Sequence, residues 1–174
     1  MVGLFLTGAV YSAFAPRPAE AATVTADKVD EGKQLFLANC ASCHGINAEG
    51  RATGFGDNVA GPALAGVGAA AVDFQMGTGR MPMRAPTAQA PRSETIKFSQ
   101  EQIDAVAAYV ASLAPGPAVP SEEMVDPTKG DPAKGGDLYR VNCAMCLNSS
   151  GSGGALTRGK YAPTLMGVAP KDIY

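Results

Sequence analysis

The chain has 174 residues, a formal net charge of −2 and 17% charged residues, enough for one ordinary domain or two small ones. Lysine and arginine are scattered rather than clustered, which gives no basic surface for nucleic acid. With 21 glycines, 13 prolines, no tryptophan and only 6 Phe and 5 Tyr, long loops must accompany any helices, and a bound group is expected to help fill the core.

The N-terminal run MVGLFLTGAVYSAFA is mainly apolar over 15 residues and is followed by PRP and small residues around Ala19 to Ala22. That length fits a signal-peptide core and falls short of the roughly 20 residues that span a bilayer. No positive charge precedes the run, which weighs against a signal peptide. Residues 1–24 are therefore expected to be a membrane anchor whose first turns are missing, with a cleaved signal or a buried soluble helix as alternatives.

Residues 25–115 form the first candidate domain. In EGKQLFLANCASCHG, residues Gly32, Leu35, Phe36 and Asn39 lie at helical spacing and lead into CxxCH. Cys40, Cys43 and His44 stand at i, i+3 and i+4, so a helix projects all three from one face. Two thiols can then bond the vinyl groups along one porphyrin edge while the imidazole reaches the iron, which points to covalent haem c. A zinc pair would be short of nitrogen ligands, because His44 is the chain's single histidine. Haem c is attached outside the cell membrane, so export is expected.

One histidine also forbids bis-histidine ligation within the chain. A methionine thioether is the expected sixth ligand. The segment FQMGTGRMPMRAP places Met76, Met81 and Met83 on what reads as a flexible Gly/Pro loop. Met81 is preferred because Pro82 stiffens the loop after it, with Met83 and Met76 as alternatives. The domain closes with FSQEQIDAVAAYVASL at 98–113. There Ser99 and Gln102 predict a capping box, Ile103, Val106, Ala107 and Val110 form an apolar stripe, and PGP stops the helix. Between the first and last helices the sequence reads as loops with few strand signals.

Residues 116–133 are rich in proline and lack periodicity, as in a linker. Residues 134–174 then repeat the first domain. KGGDLYRVNCAMCLN aligns with EGKQLFLANCASCHG at an offset of 103, and APTLMGVA aligns with GPALAGVG at 101. Cys143 and Cys146 keep the thiol pair, but Leu147 stands where His44 stands in the first copy. Met166 matches Ala65 and is expected in core or loop.

In that order, CASCH, GPAL, GRMP and QIDAVAAYV resemble a class I cytochrome c domain. The tandem copies, with YSAFAP early and NCAMC before GSGGALTRGKYAPTL late, are similar to the dihaem cytochrome c subunits of actinobacterial menaquinol–cytochrome c reductases, the cytochrome bcc complexes. The resemblance implies an all-α fold of tandem domains, the second incomplete here, whose first and last helices cross and bring Gly32 and Phe36 near Tyr109. It implies thioethers from Cys40 and Cys43, iron ligation by His44 and Met81, the Pro62 carbonyl accepting from His44, and Leu64 packing on the haem.

The same resemblance implies a membrane helix at each end and haem domains on the outer face. Electrons would pass from Rieske iron–sulfur and cytochrome b subunits through this chain to a terminal oxidase. The chain departs from that pattern at Leu147, and the methionine expected at the 101-residue offset falls beyond Tyr174. Haem is thus expected firmly at the first site and conditionally at Cys143 and Cys146. A damaged or incomplete dihaem protein, a haem-free second module and haem held by foreign ligands all remain open there. The expected role is electron transfer with no catalytic residues of its own, and a free periplasmic dihaem carrier is the alternative. A dihaem peroxidase would need a proximal ligand and a distal base that the second site lacks, and a disulfide module ignores His44.

Overall fold

Helix α1, Ala26–Asn39, starts at Thr25 and carries Asp27 in its first turn, where a carboxylate favours the helix dipole. In the computed structural model, which describes residues 25–52, 59–85, 87 and 89–173, α1 runs directly into the short helix α2, Ala41–His44. Gly32 and Phe36 are the buried residues of α1, while Leu35 is half-buried and Asn39 turns outward to bond the Leu35 carbonyl.

A two-stranded antiparallel pair follows, β1 (Arg51–Ala52) with β2 (Val59–Gly61), its register broken by an irregularity between Arg51 and Ala52. Helix α3, Gly68–Gly77, comes next, then an irregular segment, then α4, Gln100–Leu113. Helix α4 begins as its sequence predicts. The Ser99 hydroxyl accepts from the Gln102 amide at 3.4 Å, and the Gln102 side chain accepts from the Ser99 amide at 3.0 Å. All four residues of its predicted stripe are buried.

The core lies where α4 meets α1 and α3. Phe36 is fully buried, with its ring 5.2 Å from that of Tyr109 and tilted by 50°. Helices α1 and α4 approach so closely at Gly32 that a Cβ there would sit 1.9 Å from the Ala105 carbonyl oxygen. The crossing of first and last helices expected from the resemblance is therefore present.

Helix α3 corrects the sequence reading, which has loops here. Its GAAAVDFQMG has no capping side chain, and its alanines blur the apolar stripe that periodicity would detect. Residues 116–133 also differ from a free linker. The Ala70 amide donates to the Pro117 carbonyl at 3.1 Å, Gly68 and Gly116 pack backbone to backbone, and a 3₁₀ turn forms at Pro127–Lys129.

Helix α5, Pro132–Asn142, is capped by the Asp131 carboxylate, which accepts from the amides of Ala133 and Lys134. It leads into α6, Ala144–Leu147, and then into a second antiparallel pair, β3 (Gly154–Ala155) with β4 (Tyr161–Ala162). Helix-rich chains with short strand pairs fit the all-α expectation only coarsely. Among the described residues no helix is long and apolar enough to cross a membrane; the N-terminal run at 1–24 lies outside them.

Candidate functional site

The turn from α1 into α2 builds the site. The amides of Cys43 and His44 both donate to the Cys40 carbonyl, at 3.1 and 2.9 Å, which winds the CxxCH segment into helix. Gly45 then takes φ 84°, a left-handed conformation that suits a residue without a Cβ, and ends that helix. The Gly50 amide returns to the His44 carbonyl at 2.6 Å, and the Leu64 amide to the Ala48 carbonyl at 2.8 Å. These bonds bring Gly50 back to His44 and Leu64 back to Ala48, beside the motif.

His44 is 9% exposed, and its Nδ1 lies 2.8 Å from the Pro62 carbonyl oxygen. A carbonyl can only accept, so Nδ1 carries the proton and Nε2 keeps a free lone pair. That is the tautomer a metal needs, with the opposite nitrogen fixed by an outer contact. The sequence reading did not single out Gly61. A Cβ there would lie 2.9 Å from His44 Nδ1 and 2.7 Å from the Cys43 carbonyl oxygen, so glycine lets β2 approach the imidazole. The signal was present in GPAL but needed the cross-strand geometry to be understood.

Cys40 and Cys43 are free thiols, both half-buried. Burial first, and the neighbouring Cys43 second, push Cys40 up to about 11, so its sulfur stays a neutral thiol at ordinary pH. Cys40, Leu64 and Met81 all pack against the same apolar cluster around Phe36 and Val110. Met81 is held by its amide bond to the Gln75 carbonyl at 2.9 Å, beyond the C-terminal end of α3.

The three candidate methionines separate. Met76 is not on a loop as expected from sequence; it lies within α3, 4% exposed, as a core residue. Met83 is half-buried outside the cluster that includes Met81. The donor set of two thiols, one tautomerically fixed imidazole and one thioether suits a thioether-bound iron porphyrin, so the residues fit that group.

The second CxxC has the same local backbone. Cys143 is half-buried, Cys146 exposed, and both are free. Leu147 ends α6 where His44 ends α2. Pro163 and Leu165 occupy the places of Pro62 and Leu64, and Met166 is 62% exposed on a loop, which removes the core option for it. Among the described residues, no group of three or more histidine, cysteine or acidic side chains could hold a metal ion.

Residues 29–114 match a family model described as Cytochrome c. Over 180 residues the chain is 44% identical to the cytochrome bc1 complex cytochrome c subunit of Mycobacterium tuberculosis, covering 99% of this chain and 62% of that one. The protein of the same description from Mycobacterium leprae is 43% identical over 95% of this chain and 57% of its own length. That from Corynebacterium efficiens is 39% identical over 99% and 62%. The chain thus spans less than two thirds of the length of these relatives.

Proposed function

The chain belongs to the cytochrome c family, and from that premise we propose that it transfers electrons as the cytochrome c subunit of a respiratory quinol–cytochrome c reductase. In this reading residues 25–115 are the first cytochrome c domain, 116–133 connect, and 134–174 belong to a second copy. Residues 1–24 anchor the chain, with the haem domains on the outer face of the cell membrane. Rieske and cytochrome b subunits would supply electrons and a terminal oxidase would take them, in keeping with the bc1 complex named for the relatives.

Haem c, when bound, supplies an iron that gains and loses one electron. Cys40 and Cys43 would hold it by thioethers, and His44 Nε2 and Met81 Sδ would donate to its iron. Pro62 fixes the imidazole through Nδ1, so the ring has no freedom to turn its protonated nitrogen toward the metal. A thioether donor beside an imidazole would raise the potential, which suits a carrier near the oxidising end of a chain. With His44 and Met81 both donating to the iron, the bound group would move electrons and would not take up a substrate, and this reading asks no acid or base of the polypeptide.

The single observation that carries this reading is the 2.8 Å contact of His44 with Pro62, made on the helical turn that also bears both thiols. The test is a pyridine haemochrome assay on chain matured in a secreting host, with His44→Ala and Met81→Ala beside it. The natural chain should show a c-type spectrum, the His44 variant should lose it, and the Met81 variant should keep haem at a lower potential. Colourless natural chain, or an unchanged spectrum in the His44 variant, overturns the proposal. Extraction without detergent, with residues 1–24 removed, would favour the free periplasmic carrier.

A further inference from the structure

The second CxxC segment repeats most of the backbone bonds of the first. The Cys143 amide donates to Tyr139 as Cys40 does to Phe36, both at 2.8 Å, and the Leu147 amide to Cys143 as His44 does to Cys40, both at 2.9 Å. The Gly153 amide reaches the Leu147 carbonyl as Gly50 reaches His44, and Leu165 reaches Gly151 as Leu64 reaches Ala48. Asn148 takes the left-handed conformation of Gly45, and Gly153 that of Gly50. A Cβ on Gly153 would lie 2.9 Å from the Pro163 carbonyl carbon, and one on Gly50 3.0 Å from that of Pro62. The carbonyl that orients the first imidazole therefore has a counterpart, in place, at the second site.

Two of the side chains that differ bear directly on the place of the imidazole. Leu147 has no lone pair, and no other imidazole exists in the chain to replace it. Ala162 carries a methyl group where Gly61 has none, and at Gly61 such a methyl would lie 2.9 Å from the imidazole. We infer that Cys143 and Cys146 sit on a haem-binding turn whose backbone, from the thiols to the Pro163 carbonyl, matches that of the first site but lacks the imidazole donor, so that this chain matures with haem at the first site alone. Leu147→His, with Ala162→Gly to clear space for the ring, restores the second.

The chemistry follows from how a thioether forms. Each S–H adds across a vinyl C=C, the sulfur bonding one carbon and the hydrogen going to the other, with nothing oxidised and nothing released. Both additions would need the porphyrin held still against the helix, and His44 would do that at the first site. At the second site leucine offers only apolar contact. Both thiols stay free.

The inference rests on the haem-binding role proposed above for Cys40, Cys43 and His44, and one assay separates the two. Haem per chain is measured by pyridine haemochrome, and thiols by alkylation after reduction followed by peptide mass spectrometry. The natural chain should give about one haem, with Cys143 and Cys146 alkylated and Cys40 and Cys43 blocked. L147H/A162G should give about two haems with no cysteine alkylated, and L147H alone an equal or smaller gain. Two haems in the natural chain, or a double variant that keeps the first-site spectrum but still alkylates at Cys143 and Cys146, overturns this inference. No haem at all on the natural chain sinks the first-site reading instead.

Discussion

Gly32 and Gly135 hold the same place in the two copies, and the structure gives them opposite tolerances. At Gly32 a methyl would collide with the Ala105 carbonyl at 1.9 Å, whereas at Gly135 no described residue comes within 4 Å. Gly32→Ala should therefore cost about 1–3 kcal/mol, the usual range for overpacking, despite alanine's better helix propensity. Gly135→Ala should be neutral or stabilise by up to about 1 kcal/mol. Urea denaturation of the two variants checks this, and equal effects would contradict the α1–α4 packing. Cys40 gives a second residue-scale prediction, for the haem-free chain. Its thiol is raised to about 11 by burial and by Cys43, so the folded chain keeps that proton while the unfolded chain loses it near the ordinary thiol value of about 8.5. The folded chain then binds more protons between those values, and its stability falls as pH rises from the lower toward the higher. Alkylation of Cys40, which needs the thiolate, should show an inflection near 11. An inflection near about 8.5 would refute it. At this scale the sequence was most legible where spacing itself is the chemistry, as in CxxCH. It placed Gly32 near Tyr109 only through the resemblance and was silent on Gly61, because the reasons for both glycines lie in backbone that approaches from far along the chain.

Helix boundaries followed the same division. The start of α4 was readable because its capping box is local, with Ser99 and Gln102 three residues apart. Helix α3 was not readable, because its stability comes from packing Val72 and Met76 into the core rather than from a signature of its own. How the connecting segment docks was not readable for a related reason, since proline marks a break in periodicity and says nothing about docking. Two contacts tie the later elements to the first domain. The Gln89 side chain both donates to and accepts from the Tyr161 backbone, at 2.9 and 3.0 Å. Lys171 reaches Asp73 of α3 at 2.5 Å, and Asp73 also accepts from Gln100. The Asp73 side chain is only 7% exposed, so losing Lys171 would leave a buried carboxylate with one remaining partner. Lys171→Ala should cost about 1–2 kcal/mol, less than a fully buried pair because the lysine is itself 36% exposed. Faster amide exchange at Asp172 and Ile173, whose amides close the turn from Ala169 and Pro170, is the expected readout. Unchanged exchange there would mean that the ion pair does not hold the turn.

Across the molecule, the repeat found by sliding the sequence on itself reappears as a repeat of hydrogen bonds. Its two-residue slip falls between β1 and β2, where the loop joining the strands is longer than the one between β3 and β4. What the alignment could not convey is how unequally the two copies are supported. Helix α1 buries Phe36 completely against α4, while α5, its counterpart, has no buried residue and leaves Leu138 and Val141 56% and 78% exposed. An eleven-residue helix without tertiary burial is marginal in water, since nucleation is costly and only packing repays it. Native-state hydrogen exchange should therefore divide this chain into two classes. Amides of α1 and α4 should open only with global unfolding, and Phe36→Ala, at a cost of about 3–5 kcal/mol, should speed them together. Amides of α5 should exchange by local fraying, far faster and unmoved by that substitution, because nothing in the Phe36 cluster touches them. If α5 exchanges as slowly as α1, or slows and quickens with it across the Phe36 variant, then the two copies unfold as one cooperative unit and the asymmetry of burial has no energetic counterpart.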